Sequence, residues 1–286
     1  MPTVFNSIPE IRNALKTNRE KLGPEGIIGF VPTMGALHRG HAALFEAAAA
    51  ECDLVVVSIF VNPTQFAPHE DLDKYPRTLE ADLELCEQFG ADLVFHPSAL
   101  EVYPPDFQSY VEVEGITNSL EGEHRPTHFR GVTTVVLKLF NMVPADRAYF
   151  GQKDYQQQLV IRRMVKDLNI PVEIVTVPTW RDPDGLALSS RNKYLSTDER
   201  TRALVLSQVL NSTSAQLQQG EQDIQKLITE GLVQITEAGL KPDYFSIADA
   251  ETLEKLCEPC QKMVLLVAAQ AGTTRLIDNM TVELSE

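Results

Sequence analysis

The chain has 286 residues, room for one large domain or two modest ones and ample material for a buried core. Its composition, 43% hydrophobic and 23% charged with 15 Gly and 17 Pro, is that of a globular chain and excludes a structureless one. Forty Asp and Glu against 25 Lys and Arg leave a formal charge of −15, which disfavours nucleic acid and anionic membranes as partners, so a bound anion must be held by local cations.

No apolar run reaches the roughly eighteen residues of a membrane span. Met1 to Lys16 lacks the basic segment, apolar core and small-residue site of a secretory leader, so the expectation is no membrane and a cytoplasmic setting. The first strand expected is Gly26 to Val31 (GIIGFV), a continuous apolar run suited to burial on both faces. A glycine-containing turn, Met34 to His41, leads from it into the alanine-rich helix Ala42 to Ala50. Leu54 to Phe60 reads as the next buried strand, Arg77 to Phe89 as a helix with Leu79, Leu83 and Cys86 on one face, and Leu93 to His96 as a strand. Helices follow at Gly131 to Val143 and Asp154 to Leu168, with strands at Ala148 to Phe150 and Val172 to Val177.

This alternation predicts an α/β fold, a Rossmann-like doubly wound parallel sheet. Punctuation from Pro178 to Gly185 marks a domain boundary, giving domains 1–182 and 183–286. The second is expected as a smaller α+β unit: a long helix opened by the capping box of Ser196 and Glu199, a further helix, and strands at Tyr244 to Ile247, Met263 to Ala269 and Thr274 to Ile277.

Chemistry-bearing residues cluster at the ends of the strands. His38 and His41 stand three apart where the Gly26 to Val31 strand hands over to its helix, at the carboxyl edge where open α/β sheets bind ligands. Two readings fit: a nucleotide phosphate site using unengaged N–H groups, the helix dipole and the close approach that Gly35 and Gly40 permit, or two solvated histidines in a turn. A zinc site needs a third ligand, and nothing in the spacing nominates His69 or His128. Neither GxGxxG nor GxxxxGK[ST] occurs, so side chains must grip any phosphate. Gly151-Gln152-Lys153-Asp154 offers a cation and a carboxylate, and Ser189-Ser190-Arg191 two hydroxyls and a guanidinium. Asn62-Pro63-Thr64-Gln65-Phe66 and Arg125 to Gly131 carry amides and cations suited to a small polar carboxylate, or to ordinary turns. Cys257-Glu-Pro-Cys260 lacks the second CxxC or nearby histidine that a zinc site would need.

Six motifs in order, PTMGALHRGH, SIFVNPTQF, YPRT, HFRG, GQKDYQQ and GLALSSRN, resemble the pantothenate synthetase family over about residues 26 to 196. The resemblance implies an HxGH nucleotidyltransferase with a Rossmann-like domain, a smaller C-terminal domain and a homodimer. It implies condensation of pantoate with β-alanine, using ATP and Mg²⁺ and releasing AMP and pyrophosphate through a pantoyl adenylate. By position it puts ATP on Met34, Gly35, Ala36, Leu37, His38, Arg39, Gly40 and His41, on Gly151, Gln152, Lys153 and Asp154, and on Leu188, Ser189, Ser190 and Arg191, with the main chain near Trp180 facing adenine. His41, the general acid, is catalytic with His38, Lys153 and Arg191. Gln65 and Gln157 hold pantoate, Gln65 also β-alanine. Asn62, Tyr75, Arg125 and His128 are further substrate-site candidates, and Asp82 helps place magnesium. Gln152 stands where the family has Glu, and Thr127 where Gly is common. An adenylyltransferase of the same superfamily acting on a phosphate ester would call for more cations than the two glutamines, and a non-catalytic nucleotide sensor need not keep His38, His41 and Lys153.

Overall fold

The computed structural model describes residues 1–66 and 72–284. The run expected as the first strand is the second, because β1 (Thr3–Phe5) and α1 (Ile8–Leu22) precede it. Helix α1 starts from a capping box in which the Ser7 side chain and Glu10 satisfy each other's backbone N–H groups, with Pro9 in the first turn. There follow β2 (Ile28–Thr33), α2 (Arg39–Glu51), β3 (Leu54–Ile59), 3-10 turns at Pro63–Gln65 and Leu72–Lys74, α3 (Leu79–Gln88) and β4 (Leu93–Phe95). Short helices α4 (Ala99–Val102) and α5 (Glu121–His124) lead to α6 (His128–Met142), β5 (Arg147–Gly151), a 3-10 turn (Gln152–Asp154), α7 (Tyr155–Asp167) and β6 (Glu173–Val177).

The six strands form one sheet in the order β1-β4-β3-β2-β5-β6, every pair parallel. Strand β2 lies between β3 and β5, so the order reverses there, and the carboxyl ends of β2 and β5 are where sheets of this kind bind ligands. Alternate side chains feed two cores, as expected for a sheet covered on both faces. Ile28, Phe30, Leu54 and Val56 pack with Ile11 of α1, Val136 of α6 and Ile161 of α7. Val31, Val55 and Val57 pack with Leu44, Phe45 and Ala48 of α2 and Cys86 of α3. Each fully buried large apolar side chain contributes about 1.5–3 kcal/mol, so these layers hold β2 and the turn after it.

Contacts divide the chain into a first unit, Met1–Gly151 with Gln156–Pro178, and a second, Gln152–Tyr155 with Thr179–Glu286. The division falls at 178/179 rather than 182/183 and is discontinuous, since the turn after β5 groups with the later residues. In the second unit the Ser196 and Glu199 capping box is present, but the helix it opens, α8 (Thr197–Ala203), is separated from α9 (Val205–Gln218) at Leu204. Leu204 keeps helical dihedrals (φ −60°, ψ −22°), and neither Pro nor Gly marks the break. With α10 (Ile224–Glu237), three helices stand where two were expected. They pack on an antiparallel sheet of β7 (Lys241–Asp249), β8 (Lys262–Ala271) and β9 (Thr274–Glu283), around Leu206, Leu210, Leu227, Phe245 and Leu265.

Candidate active site

The HxGH turn follows β2 directly. Gly35 (φ 80°) and Ala36 (φ 51°) both take left-handed backbone, a strained arrangement for alanine. The Asp82 carboxylate on α3 holds it: Oδ2 accepts from the Ala36 N–H at 3.0 Å, and Oδ1 from the Leu37 N–H at 2.8 Å and the Thr78 hydroxyl at 3.2 Å. Two successive N–H groups turned onto one anion make a main-chain nest, filled here by the protein's own carboxylate.

His38 is the N-cap of α2, its Nδ1 accepting from the Gly40 N–H at 3.2 Å, while His41 Nδ1 accepts from the His38 N–H at 3.3 Å. The pair forms a capping box with imidazoles in place of the usual hydroxyl and carboxylate. Both Nδ1 atoms act as acceptors, which fixes the neutral Nε2–H tautomer in each ring. The rings adjoin, their centroids 4.1 Å apart.

This geometry corrects the expected phosphate cradle of unengaged main-chain donors. The N–H groups of Ala36 and Leu37 go to Asp82, that of Gly35 to the Thr33 hydroxyl at 3.2 Å, and those of His38 and Gly40 to the two imidazoles. The Arg39 side chain pairs with Glu46 at 2.9 Å and lies 4.7 Å from the Phe89 ring centroid. Asp82, expected to help place magnesium, is 2% exposed and bonded through both oxygens. Its task is to anchor the turn.

The glutamine motif adjoins this turn, for Gln65 Nε2 donates to Met34 Sδ at 3.0 Å. Asn62 is 1% exposed and orients that glutamine, its Nδ2 donating to Gln65 Oε1 at 3.0 Å and to the Gly131 carbonyl at 3.1 Å. With Oε1 pinned, the donor end of the Gln65 amide is the one facing Met34. Asn62 Oδ1 in turn accepts from the Thr64 hydroxyl and from the Tyr103 hydroxyl, both at 2.9 Å. Asn62, expected beside substrate, therefore holds Gln65. Burial pushes the Tyr103 phenol up to about 12, so it remains a donor at any ordinary pH. Sequence reading missed Tyr103, 41 residues from Asn62, where no local signal points to the contact.

His128 Nδ1 lies 3.1 Å from the Gln65 carbonyl, which can only accept, so Nδ1 carries the proton and Nε2 accepts from Arg125 at 3.3 Å. Both expected substrate-site residues thus brace the main chain of Gln65. Tyr75 packs edge-on to Phe66, with centroids 5.9 Å apart. Residues 67–71, which include His69, lie outside the described residues. On α7, Gln156 donates to the carbonyls of Ile116 and Ser119 at 2.8 Å and Gln158 accepts from Arg162 at 2.8 Å, whereas Gln157 makes no hydrogen bond to the protein among the described residues.

In the second unit, Lys153 stands in the turn Gln152–Asp154, whose Gln152 and Lys153 carbonyls accept from Asn279 of β9 at 3.0 and 2.8 Å. Ser189 caps the 3-10 turn Ser190–Tyr194, accepting from the Arg191 N–H at 3.3 Å. The Trp180 carbonyl, in the stretch expected to face adenine, accepts from the Leu188 N–H at 2.9 Å. Cys257 and Cys260 are unpaired thiols, and Cys260 Sγ lies 3.3 Å from the Lys262 carbonyl. Among the described residues, no three His, Cys, Asp or Glu side chains come together as a metal site.

A family model for pantoate-beta-alanine ligase matches residues 3–281. The pantothenate synthetases of Moorella thermoacetica and Stutzerimonas stutzeri are 49% and 52% identical, over 99% and 98% of both chains respectively. Among solved structures, pantothenate synthetase from Thermus thermophilus superimposes with a TM-score of 0.91 at 46% identity, covering 97% of this chain and 98% of that one. Pantoate-beta-alanine ligase from Francisella tularensis, in complex with beta-gamma ATP and beta-alanine, gives 0.80 at 37%, covering 98% and 97%.

Proposed function

The chain belongs to the pantoate-beta-alanine ligase family and joins those two acids with ATP, and we propose that it does so in two steps on the residues described above. In the first, a pantoate carboxylate oxygen attacks the α-phosphorus of ATP, the bond to the β-phosphate oxygen breaks, and pyrophosphate leaves with its electron pair. In the second, the amine of β-alanine attacks the carbonyl carbon of the pantoyl adenylate, loses a proton, and the bond to AMP breaks. The observation that carries this reading is the pair of Nε2–H imidazoles fixed at the carboxyl end of β2. Neutral donors held by the backbone can follow charge onto the leaving pyrophosphate without rearranging first.

His38 and His41 serve the phosphates as Nε2–H donors, and His41 acts as general acid once its Nδ1 takes up a proton and releases the His38 N–H. Lys153 and Arg191 supply the positive charge that a chain of net charge −15 must concentrate to hold a polyanion. The remaining ATP residues are proposed as the motifs give them: residues 34–41, 151–154 and 188–191, with the main chain near Trp180 for adenine. Gln65 and Gln157 take pantoate, and Gln65 also β-alanine. Asn62, Arg125 and His128 act through Gln65. Among the described residues no three His, Cys, Asp or Glu side chains come together to hold a metal ion, and both oxygens of Asp82 are taken by N–H groups. Where Mg²⁺ takes part, it enters with the phosphates of ATP, its common setting in nucleotide enzymes. Homodimerisation and a cytoplasmic setting complete the proposal, the first read from the family resemblance and testable by sedimentation. No helix among the described residues is long and apolar enough to cross a membrane.

Exchange of labelled pyrophosphate into ATP tests the reading. Exchange is expected only with pantoate present, and AMP release only once β-alanine is added. Absence of pantoate-dependent exchange from folded protein supplied with magnesium would overturn it.

A further inference from the structure

Strand β5 leads into the turn that carries Lys153, yet the groups that hold this turn come from the other end of the sequence. Asn279 of β9 donates one amide hydrogen to the Gln152 carbonyl at 3.0 Å and the other to the Lys153 carbonyl at 2.8 Å. Both partners can only accept, so the amide has one workable orientation. Asn279 is itself immobilised. It is 3% exposed and paired in register with Leu266 of β8, and its N–H donates to Asp278 Oδ1 at 2.8 Å. Asp278, 4% exposed, takes a two-pronged ion pair from Arg181 at 2.6 and 2.9 Å, and Arg181 also donates to the Asn279 carbonyl at 3.3 Å. A second tie runs from the Tyr155 hydroxyl to the Ala250 carbonyl at 2.8 Å.

The Asn279 side-chain oxygen is buried with no hydrogen-bond partner. A buried acceptor left unsatisfied is destabilising, and an apolar residue packed in the same place would avoid the penalty. What an apolar residue cannot supply is the pair of donors clamping the Gln152 and Lys153 carbonyls. Lys153 makes no ion pair or hydrogen bond through its side chain among the described residues, so its placement depends on its main chain.

We propose that Asn279 is a positioning residue for Lys153, clamping the turn so that the ammonium group stands where ATP phosphates are taken up. The inference rests on the ATP reading of Lys153 given above. Asn279→Ala removes both donors and Asn279→Ser leaves a single hydroxyl, so the serine variant falls between. The KM for ATP in pantoate-dependent exchange should rise about tenfold in the alanine variant, the scale of one or two lost hydrogen bonds, with the KM for pantoate within about twofold of wild type. In a Lys153→Ala background, Asn279→Ala should add less than about twofold, because the residue it acts through is gone.

A folded Asn279→Ser protein with wild-type KM for ATP would overturn the proposal. So would equal rises for ATP and pantoate, an undiminished effect in the Lys153→Ala background, or loss of the fold in both variants, since each makes Asn279 a general structural residue. Lys153→Ala alone separates the two layers of inference. If it leaves the KM for ATP unchanged, the ATP reading of Lys153 falls and the clamp falls with it. If it raises that KM while the Asn279 variants do not, only the clamp falls.

Discussion

At the scale of single residues, Asp82 is where two roles give opposite outcomes. A carboxylate that coordinates magnesium is weakened by Asp82→Asn in a way that excess metal offsets. A carboxylate that accepts from the Ala36 and Leu37 N–H groups is weakened in a way that metal cannot touch, because the amide presents one acceptor and one donor to two donors. Leaving a buried N–H facing a donor costs about 1–3 kcal/mol. Asp82→Asn is therefore expected to lower the melting temperature by several degrees and pantoate-dependent exchange by about tenfold or more, with no recovery when Mg²⁺ is raised. Recovery with magnesium would restore the metal role. His38, His41 and Gln65 could be nominated from the sequence because their chemistry is local to a motif. Asp82, 45 residues from Leu37, and Tyr103, 41 from Asn62, were not legible as anchors, since what they do is defined by partners that only the folded sheet brings near.

Among elements, the contact of α6 with the turn Pro63–Gln65 decides whether the glutamine motif keeps its shape. Gly131, one turn into α6, lies so close that an added Cβ would stand 2.4 Å from the Thr64 carbonyl oxygen and 2.7 Å from Gln65 Cα. Gly131→Ala sets two effects against each other. Alanine gains up to about 1 kcal/mol in helix propensity, while overpacking against backbone that cannot rotate away costs about 1–3 kcal/mol. The clash should win. Thermal unfolding is expected to shift down by a few degrees, and the KM for pantoate to rise while that for ATP changes less. A variant as stable as wild type, with unchanged pantoate kinetics, would show that helix and turn separate freely. Element boundaries were read unevenly for a physical reason. Strand β3 and helix α2 announce themselves by apolar runs and propensity, and α1 had a signature available in Ser7, Pro9 and Glu10. Strand β1 is three residues long and exists through its pairing with β4, which no local pattern encodes. The interruption at Leu204 has no marker in its neighbourhood.

For the whole molecule, alternating strands and helices made a parallel sheet legible, whereas the attachment of residues 152–155 to the second unit depends on contacts more than a hundred residues apart. The same sheet buries groups whose titration couples folding to pH. The Cys86 thiol, 0% exposed between α2, α3 and the sheet, is pushed up to about 12 by burial and secondarily by the negative charge of Asp82, against 9.0 for an ordinary thiol. Burial pushes the Cys52 thiol and the Tyr149 and Tyr103 phenols upward too. These acids are neutral in the native state, so well below pH 9 native and unfolded chains bind the same protons and the thiols contribute no pH dependence. Above pH 9 for the thiols, and above pH 10 for the phenols, the unfolded chain releases protons that the native chain keeps; for the buried Cys86 thiol stability falls by about 1 kcal/mol per pH unit. The acid side has the opposite origin. Hydrogen bonds from Ser196 hold Glu199 below its usual value and those from Ser7 do the same for Glu10, so the stability these carboxylates add is present above pH 4.5 and is lost as pH falls through their lowered values. A plateau bounded on both sides is expected, and Cys86→Ala tests its alkaline edge. In urea titrations under reducing conditions from pH 7 to 10.5, the variant starts lower because it loses packing volume. Its stability should then decline less steeply above pH 9, by about one proton per molecule. Parallel declines in the two proteins would mean that the thiol ionises as readily in the fold as out of it, and that the sheet does not shield it.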